Sequence, residues 1–169
     1  MGRVRQASAL RVWFAGVALA LYVAFILVVT LSPSPVDLSF RHDLESLLEK
    51  LHDRGVPEFV GYGFVEFASN VALFIPLGFI ASLVLPRGGW WLVLLLGPLF
   101  SGAIELAQRL FLPERFATMS DILANSIGAI VGAIVAVLLR LLIAWRDRLV
   151  LDDASASRAR ASAGQEPTP

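Results

Sequence analysis

Four long apolar runs, each broken by few or no charges, constrain this chain more than any other feature of it. The first covers 12–31 without a single charge. That is close to the ~20 residues a helix needs to cross a hydrocarbon core at about 1.5 Å per residue. The second covers 67–85 and is interrupted only by Asn70 and Pro76. The third, 90–112, opens on Trp90 and Trp91, which suit a membrane–water interface. The fourth covers 120–145, where Arg140 snorkels and Trp145 closes the run. With 57% apolar and 17% charged residues, the chain departs from the soluble average of roughly 45–50% and about 25%. The expected fold is all-α: a bundle of four transmembrane helices.

Arg3, Arg5 and Arg11 precede the first run, as basic residues do in a signal peptide. A cleavable apolar region is shorter, about 7–15 residues, and ends in small residues. Here Leu31-Ser32-Pro33-Ser34-Pro35 follows, so the run is expected to be an uncleaved anchor. Arginine and lysine set the orientation. Arg3, Arg5, Arg11, Arg87, Arg140, Arg146, Arg148, Arg158 and Arg160 fall on one side, against Arg41, Lys50, Arg54, Arg109 and Arg115 on the other. The positive-inside rule then puts both termini of a multi-pass membrane protein in the cytoplasm. Residues 1–11 form a cytoplasmic tail, 12–145 the membrane domain, and 146–169 a second cytoplasmic tail. From Asp152 on, that second tail is rich in Ala, Ser and Arg without apolar periodicity and is expected to be disordered.

Between the first two spans, Leu44, Leu47, Leu48 and Leu51 recur at helical spacing, with Gly55 and Pro57 as stop signals. This predicts a short extracytoplasmic amphipathic helix on the membrane surface. A solvated connector would carry the same charges.

Polar residues inside the spans are expensive. A charge at a helix centre costs about 2.5–3.5 kcal/mol on insertion scales, and less toward the interface. Glu105 lies seven residues from Leu112, roughly 10 Å deep. It pairs formally with Arg109 at i, i+4. Gly97, Ser101, Glu105 and Gln108 share one face of the third span, and Asp121, Asn125, Gly128 and Gly132 one face of the fourth. The two spans run antiparallel, so small residues meet deep in the bilayer and polar ones near its outer side. With Asn70 and Arg115 added, Asn70, Glu105, Gln108, Arg115, Asp121 and Asn125 can converge on one outward-facing pocket. Each also has a plainer role. Asn70 can cap a helix, Arg115 can anchor at the interface, and Asp121 can form a Thr-x-x-Asp cap with Thr118.

These residues carry a resemblance. The stretch Ser69-Asn70-Val71-Ala72-Leu73-Phe74-Ile75-Pro76-Leu77-Gly78-Phe79 is similar to the first signature of the VanZ-like family. Ile104-Glu105-Leu106-Ala107-Gln108, then Arg115, then Asp121-Ile122-Leu123-Ala124-Asn125-Ser126-Ile127-Gly128-Ala129 resembles its second. The family consists of small bacterial membrane proteins, its namesake associated with low-level resistance to teicoplanin and related lipoglycopeptides. The resemblance implies that the six polar residues are the family's polar signature, and that Pro76, Gly78, Gly128 and Gly132 are its packing positions. Many members carry further acidic residues where this chain has Thr118 and Ser120.

Several functions are excluded or unsupported. Phosphate-cradling loops, His-Glu-x-x-His and a nucleophile elbow are all missing from the sequence, and there is no cysteine. His42 and His52 are expected on different faces of a surface helix, which makes a metal site through them unfavourable. No catalytic residue or cofactor is assigned, and the juxtamembrane arginines are explained by topology without nucleic acid. Three readings stay open. One is a non-enzymatic envelope protein acting on a lipid-linked cell-wall precursor or a lipoglycopeptide at the level of the membrane lipids. Another is a membrane enzyme using Glu105 or Asp121 as acid or base. The last is a structural or transport-associated bundle.

Overall fold

In the computed structural model, the described residues are 2–32, 41–86, 88–112 and 118–163. They form α1 (Gly2–Thr30), α2 (Arg41–His52), α3 (Tyr62–Val84), α4 (Val93–Phe111, entered through a 3-10 turn at Trp90–Leu92) and α5 (Met119–Ala163). No strand occurs among them. Helices α1, α3, α4 and α5 are each long and apolar enough to cross a membrane, so this is a multi-pass membrane protein with an all-α fold. Most large apolar side chains are exposed on the bundle's outside, as they should be where the solvent is lipid.

The α3–α5 pair is the spine. The two helices run parallel. Gly128 meets the backbone of Val71, Gly132 that of Ile75, and Gly78 that of Ala129. At all three positions a Cβ would collide with backbone, so glycine is what permits this approach. Helix α4 lies antiparallel against α5, where Gly97 faces Ala129 and Ser101 faces Asn125. A small apolar core of Ile26, Phe74, Leu77, Val93, Ile104, Ala129 and Ala133 joins α1, α3, α4 and α5.

Pro76 sits inside α3. Lacking an N–H, it leaves the carbonyl four residues earlier without its helical partner and loosens that turn. In the same turn the Tyr22 hydroxyl donates to the Leu73 carbonyl at 2.9 Å, which fastens α1 to α3. At the opposite end Arg140 donates to the carbonyls of Leu83 and Leu85 at 3.0 and 3.2 Å. These are terminal carbonyls of α3, which lack helical donors of their own.

The structure differs from the sequence reading at several points. Helix α3 starts at Tyr62, one turn before the apolar run at 67, because a helix tolerates Glu66 at its exposed outer turn. Helix α5 does not stop near 145 but continues to Ala163, so the tail expected to be disordered is helical over most of its length. Once a span has supplied the costly nucleus, extension needs only propagation, and Ala and Arg propagate well. The histidines, finally, do not diverge: both line one cavity between α2 and the start of α3. Ten residues return a helix to within about 80° of its starting direction.

Helix α2 forms where the leucine periodicity predicts it. Leu48 is buried, Leu44 and Leu51 half-buried, and Leu47 exposed. It ends in a turn where Val56 N–H donates to the Leu51 carbonyl and Gly55 adopts a φ of 95°, a left-handed conformation that glycine adopts readily.

Candidate functional site

The polar residues of the spans gather at the α2 end of the bundle, on α3, α4 and α5. Asn70, in the third turn of α3, donates from Nδ2 to Asp121 Oδ1 at 2.8 Å. The other carboxylate oxygen of Asp121 accepts from the Thr118 hydroxyl at 2.9 Å and the Thr118 N–H at 3.3 Å. In return the Asp121 N–H donates to Thr118 Oγ1 at 3.3 Å. This is a reciprocal cap on α5, with the carboxylate also favoured by the positive end of the helix dipole. Asp121 therefore does two jobs: it starts α5 and ties that start to α3.

One turn further along α5, Asn125 is 4% exposed, and its Nδ2 donates to Ser101 Oγ at 2.9 Å. Its carbonyl oxygen Oδ1 is buried with no hydrogen-bond partner among the described residues. An unsatisfied buried acceptor costs about 1–3 kcal/mol, so it asks for an explanation. Ser126, beside it, turns its hydroxyl back to the Ile122 carbonyl at 2.6 Å and is thereby accounted for.

Glu105 is also 4% exposed, one turn from Ser101 on the same buried face of α4 as Gly97, Ser101, Ile104 and Gln108. The α4–α5 register fixes its level. Gly97 faces Ala129 and Ser101 faces Asn125, so four steps forward on α4 match four steps back on α5. The next step sets Glu105 level with Asp121. Gln108, 8% exposed, points elsewhere: its Nε2 donates to the Thr30 carbonyl at 2.9 Å and closes the last turn of α1.

Five of the six predicted cluster residues thus lie at one end of the bundle, and four of them, Asn70, Gln108, Asp121 and Asn125, make the hydrogen bonds described above. Asn70 and Asp121 pair directly, Asn125 pairs with Ser101, and Gln108 holds α1. Arg115 lies outside the described residues, as does Arg87. The cavity between α2 and α3 is bordered by none of the six. Among the described residues no three His, Asp or Glu side chains stand close enough together to hold a metal ion. The layer can accept hydrogen bonds and position polar groups in apolar surroundings.

Sequence reasoning gave no role in the site to Ser101, Tyr22 or Arg140. Ser101 was legible only as a small residue on the packed face of α4, yet it is the partner of Asn125. Tyr22 and Arg140 carried no signal, because their acceptors are backbone carbonyls on another helix.

Compared with protein families, the chain matches the VanZ/LLP1 model over residues 19–140. The chain belongs to the VanZ/LLP1 family. The matched region takes in α1 from residue 19 on, all of α2, α3 and α4, and α5 as far as Arg140, and so includes every residue of the polar layer. No curated protein and no solved structure matches this VanZ-type chain.

Proposed function

We propose that this VanZ-type protein works at the outer side of the bacterial cytoplasmic membrane and lowers susceptibility to teicoplanin and related lipoglycopeptides. It does so through the polar layer at the α2 end of its bundle. The orientation rests on the arginine distribution, which favours both termini in the cytoplasm and the α2 end outside. One observation carries the reading: Asn125 keeps a buried carbonyl oxygen without a partner, beside Ser101 and one turn from the level of Glu105. A purely structural layer has no use for such an acceptor. A group that arrives in the membrane plane, on a lipid-linked cell-wall precursor or on the lipoglycopeptide, would satisfy it. Glu105 would orient that group, and Arg115 would take an anionic part of it.

The test is teicoplanin susceptibility in a deletion strain complemented with wild type, Glu105→Gln, Asn125→Ala or Arg115→Ala, with membrane levels checked by immunoblot. Wild type should protect, and the three variants should be present in the membrane without protecting. If wild type leaves susceptibility unchanged, the proposal fails.

A second reading has its own support. Asn70, Gln108 and Asp121 are all engaged in hydrogen bonds that join helices or cap them. That is how a structural layer would use them. Under this reading Glu105→Gln protects like wild type, while Asn70→Ala lowers the amount of folded protein.

A further inference from the structure

Helix α5 overshoots the membrane. Residues 120–140 rise about 30 Å, the thickness of a hydrocarbon core. Arg140 donates to the Leu83 and Leu85 carbonyls at the end of α3, which places it at the end of the bundle opposite α2. Yet the apolar run of α5 covers 34 residues and reaches Asp152, against 19–23 residues in the other three spans. The excess, 141–152, rises about 18 Å past Arg140, and the headgroup layer accounts for only about 5–8 Å of it. Every residue in that excess is exposed. Tilting usually relieves such a mismatch. Here the close contacts at Gly78, Gly128 and Gly132 clamp α5 to α3, whose 23-residue span is about 34 Å long. A tilt steep enough to bury all of α5 would draw α3 out of the far leaflet.

The excess is also sorted by face. With Trp145 at position a of a seven-residue repeat, Arg140, Arg146 and Asp147 fall at b and c, together on one side. Leu141, Leu142, Ala144, Trp145, Leu149 and Leu151 fill a, d, e and g, the positions that line and flank the seam between two supercoiled helices. Ile143 and Val150, at f, are the apolar residues left outside it. The same repeat runs back into the membrane without a break. Ile127, Val131, Ile134, Leu138, Leu141 and Trp145 follow one another at alternating steps of four and three, and all six are exposed. By helical angle this stripe lies opposite Asn125, Gly132 and Ala136, which face the rest of the bundle. Lipid imposes no seven-residue period on the side chains it solvates, whereas a second helix does.

The charges that end the stripe identify that helix. After Trp145 the repeat continues with Arg148 at d and Asp152 at a, both exposed. Two copies of the chain in one bilayer share an orientation, so their α5 helices would meet parallel and in register about a two-fold axis. In a parallel pair, a side chain at d packs between the preceding and the following a positions of the facing helix. Each Arg148 would then stand beside Asp152 of the other copy, and two arginines and two aspartates would close the apolar seam with a neutral ring. An unrelated helix would have to supply matching charges at that one level, and a second copy brings them by symmetry.

We propose that the protein forms a parallel dimer through α5, along a seam from Ile127 to Asp152. The proposal is independent of the polar layer and of the antibiotic reading.

The chain has no cysteine, so single cysteines report the seam directly. Full-length Leu138→Cys, Leu141→Cys and Trp145→Cys would be oxidised in native membranes with copper phenanthroline. Each should give a covalent product of twice 18.3 kDa. Ile143→Cys and Val150→Cys, on the outer side of the repeat, should give little, with maleimide labelling of the unfolded chains showing a free thiol in all five. Charge exchange is the second arm, read from the concentration dependence of mass in detergent. Arg148→Asp or Asp152→Arg gathers like charges at the ring and should weaken the dimer about tenfold. The double exchange Arg148→Asp/Asp152→Arg should restore it. Equal cross-linking at all five positions, or none at the three seam positions, would overturn the proposal. So would a product of any other mass, which would mean a different partner. Charge exchanges that leave association unaltered, or a double exchange that fails to restore it, would overturn it as well.

Discussion

Replacing Gly132 with alanine would set a methyl carbon onto the backbone of Ile75 and 2.7 Å from the Phe79 nitrogen. Both obstacles are main-chain atoms of a helix, so neither can rotate aside as a side chain would. Helix α3 has to withdraw from α5 by about 1 Å, and a gap of about 0.5–1 Å forfeits a quarter to a half of each dispersion contact along the seam. Overpacking a well-packed interior costs about 1–3 kcal/mol and occasionally more. This site belongs at the upper end, because the same displacement also strains the contacts at Gly128 and Gly78. The expected loss is therefore about 3 kcal/mol, roughly a hundredfold in the folded fraction. It would be read from the intrinsic fluorescence of the four tryptophans during unfolding in detergent. Gly102→Ala is the internal control: nothing lies within 4 Å of its added Cβ, and alanine improves helix propensity by about 0.8–1 kcal/mol. If both variants melt together, close backbone packing is not what glycine provides at position 132, and the argument is wrong.

Two further outcomes test how the helices are held. Arg140→Met keeps the apolar stem but withdraws the donors to Leu83 and Leu85, and should cost about 1–3 kcal/mol in the same melt. It should also speed amide hydrogen exchange in the last turn of α3. Tyr22→Phe removes one hydroxyl from the Leu73 carbonyl and should cost about 1 kcal/mol. It should raise cross-linking reactivity between α1 and its surroundings, and unchanged reactivity would show that the apolar core and the Gln108–Thr30 hydrogen bond position α1 without it.

The membrane class and the number of spans were legible because hydropathy is a local property: some twenty uncharged residues cannot be solvated any other way. The α2 helix was legible through its leucine periodicity, and the Thr118–Asp121 cap through its spacing, since both depend on neighbours within one turn. The resemblance extended this to a family, and the family match over 19–140 agrees with it. The C-terminal helix was misjudged for the same reason the spans were seen. A composition rule weighs a segment by itself, whereas residues 146–163 extend a helix already formed.

The polar layer shows where local reasoning ends. The spacing of Ser101, Glu105, Asn125 and Gly132 identified which faces turn inward, because helical period alone decides that. Which partner each residue meets depended on the register between helices. Gly128 and Gly132 set that register by allowing α5 to approach Val71 and Ile75 of α3. Only then does Asn70 reach Asp121, does Gln108 turn to Thr30, and does Asn125 meet Ser101 with its carbonyl oxygen left unpartnered. The cavity over α2 arises in the same way: its stripe of His and Glu was written in the sequence, but it became a lining only when α2 folded against the entrance of α3. Sequence alone determined that this chain enters a membrane and which residues it hides there. Tertiary structure decided what those residues touch, because hydrogen bonds reach only about 3 Å and contacts between helices are made by groups far apart along the chain.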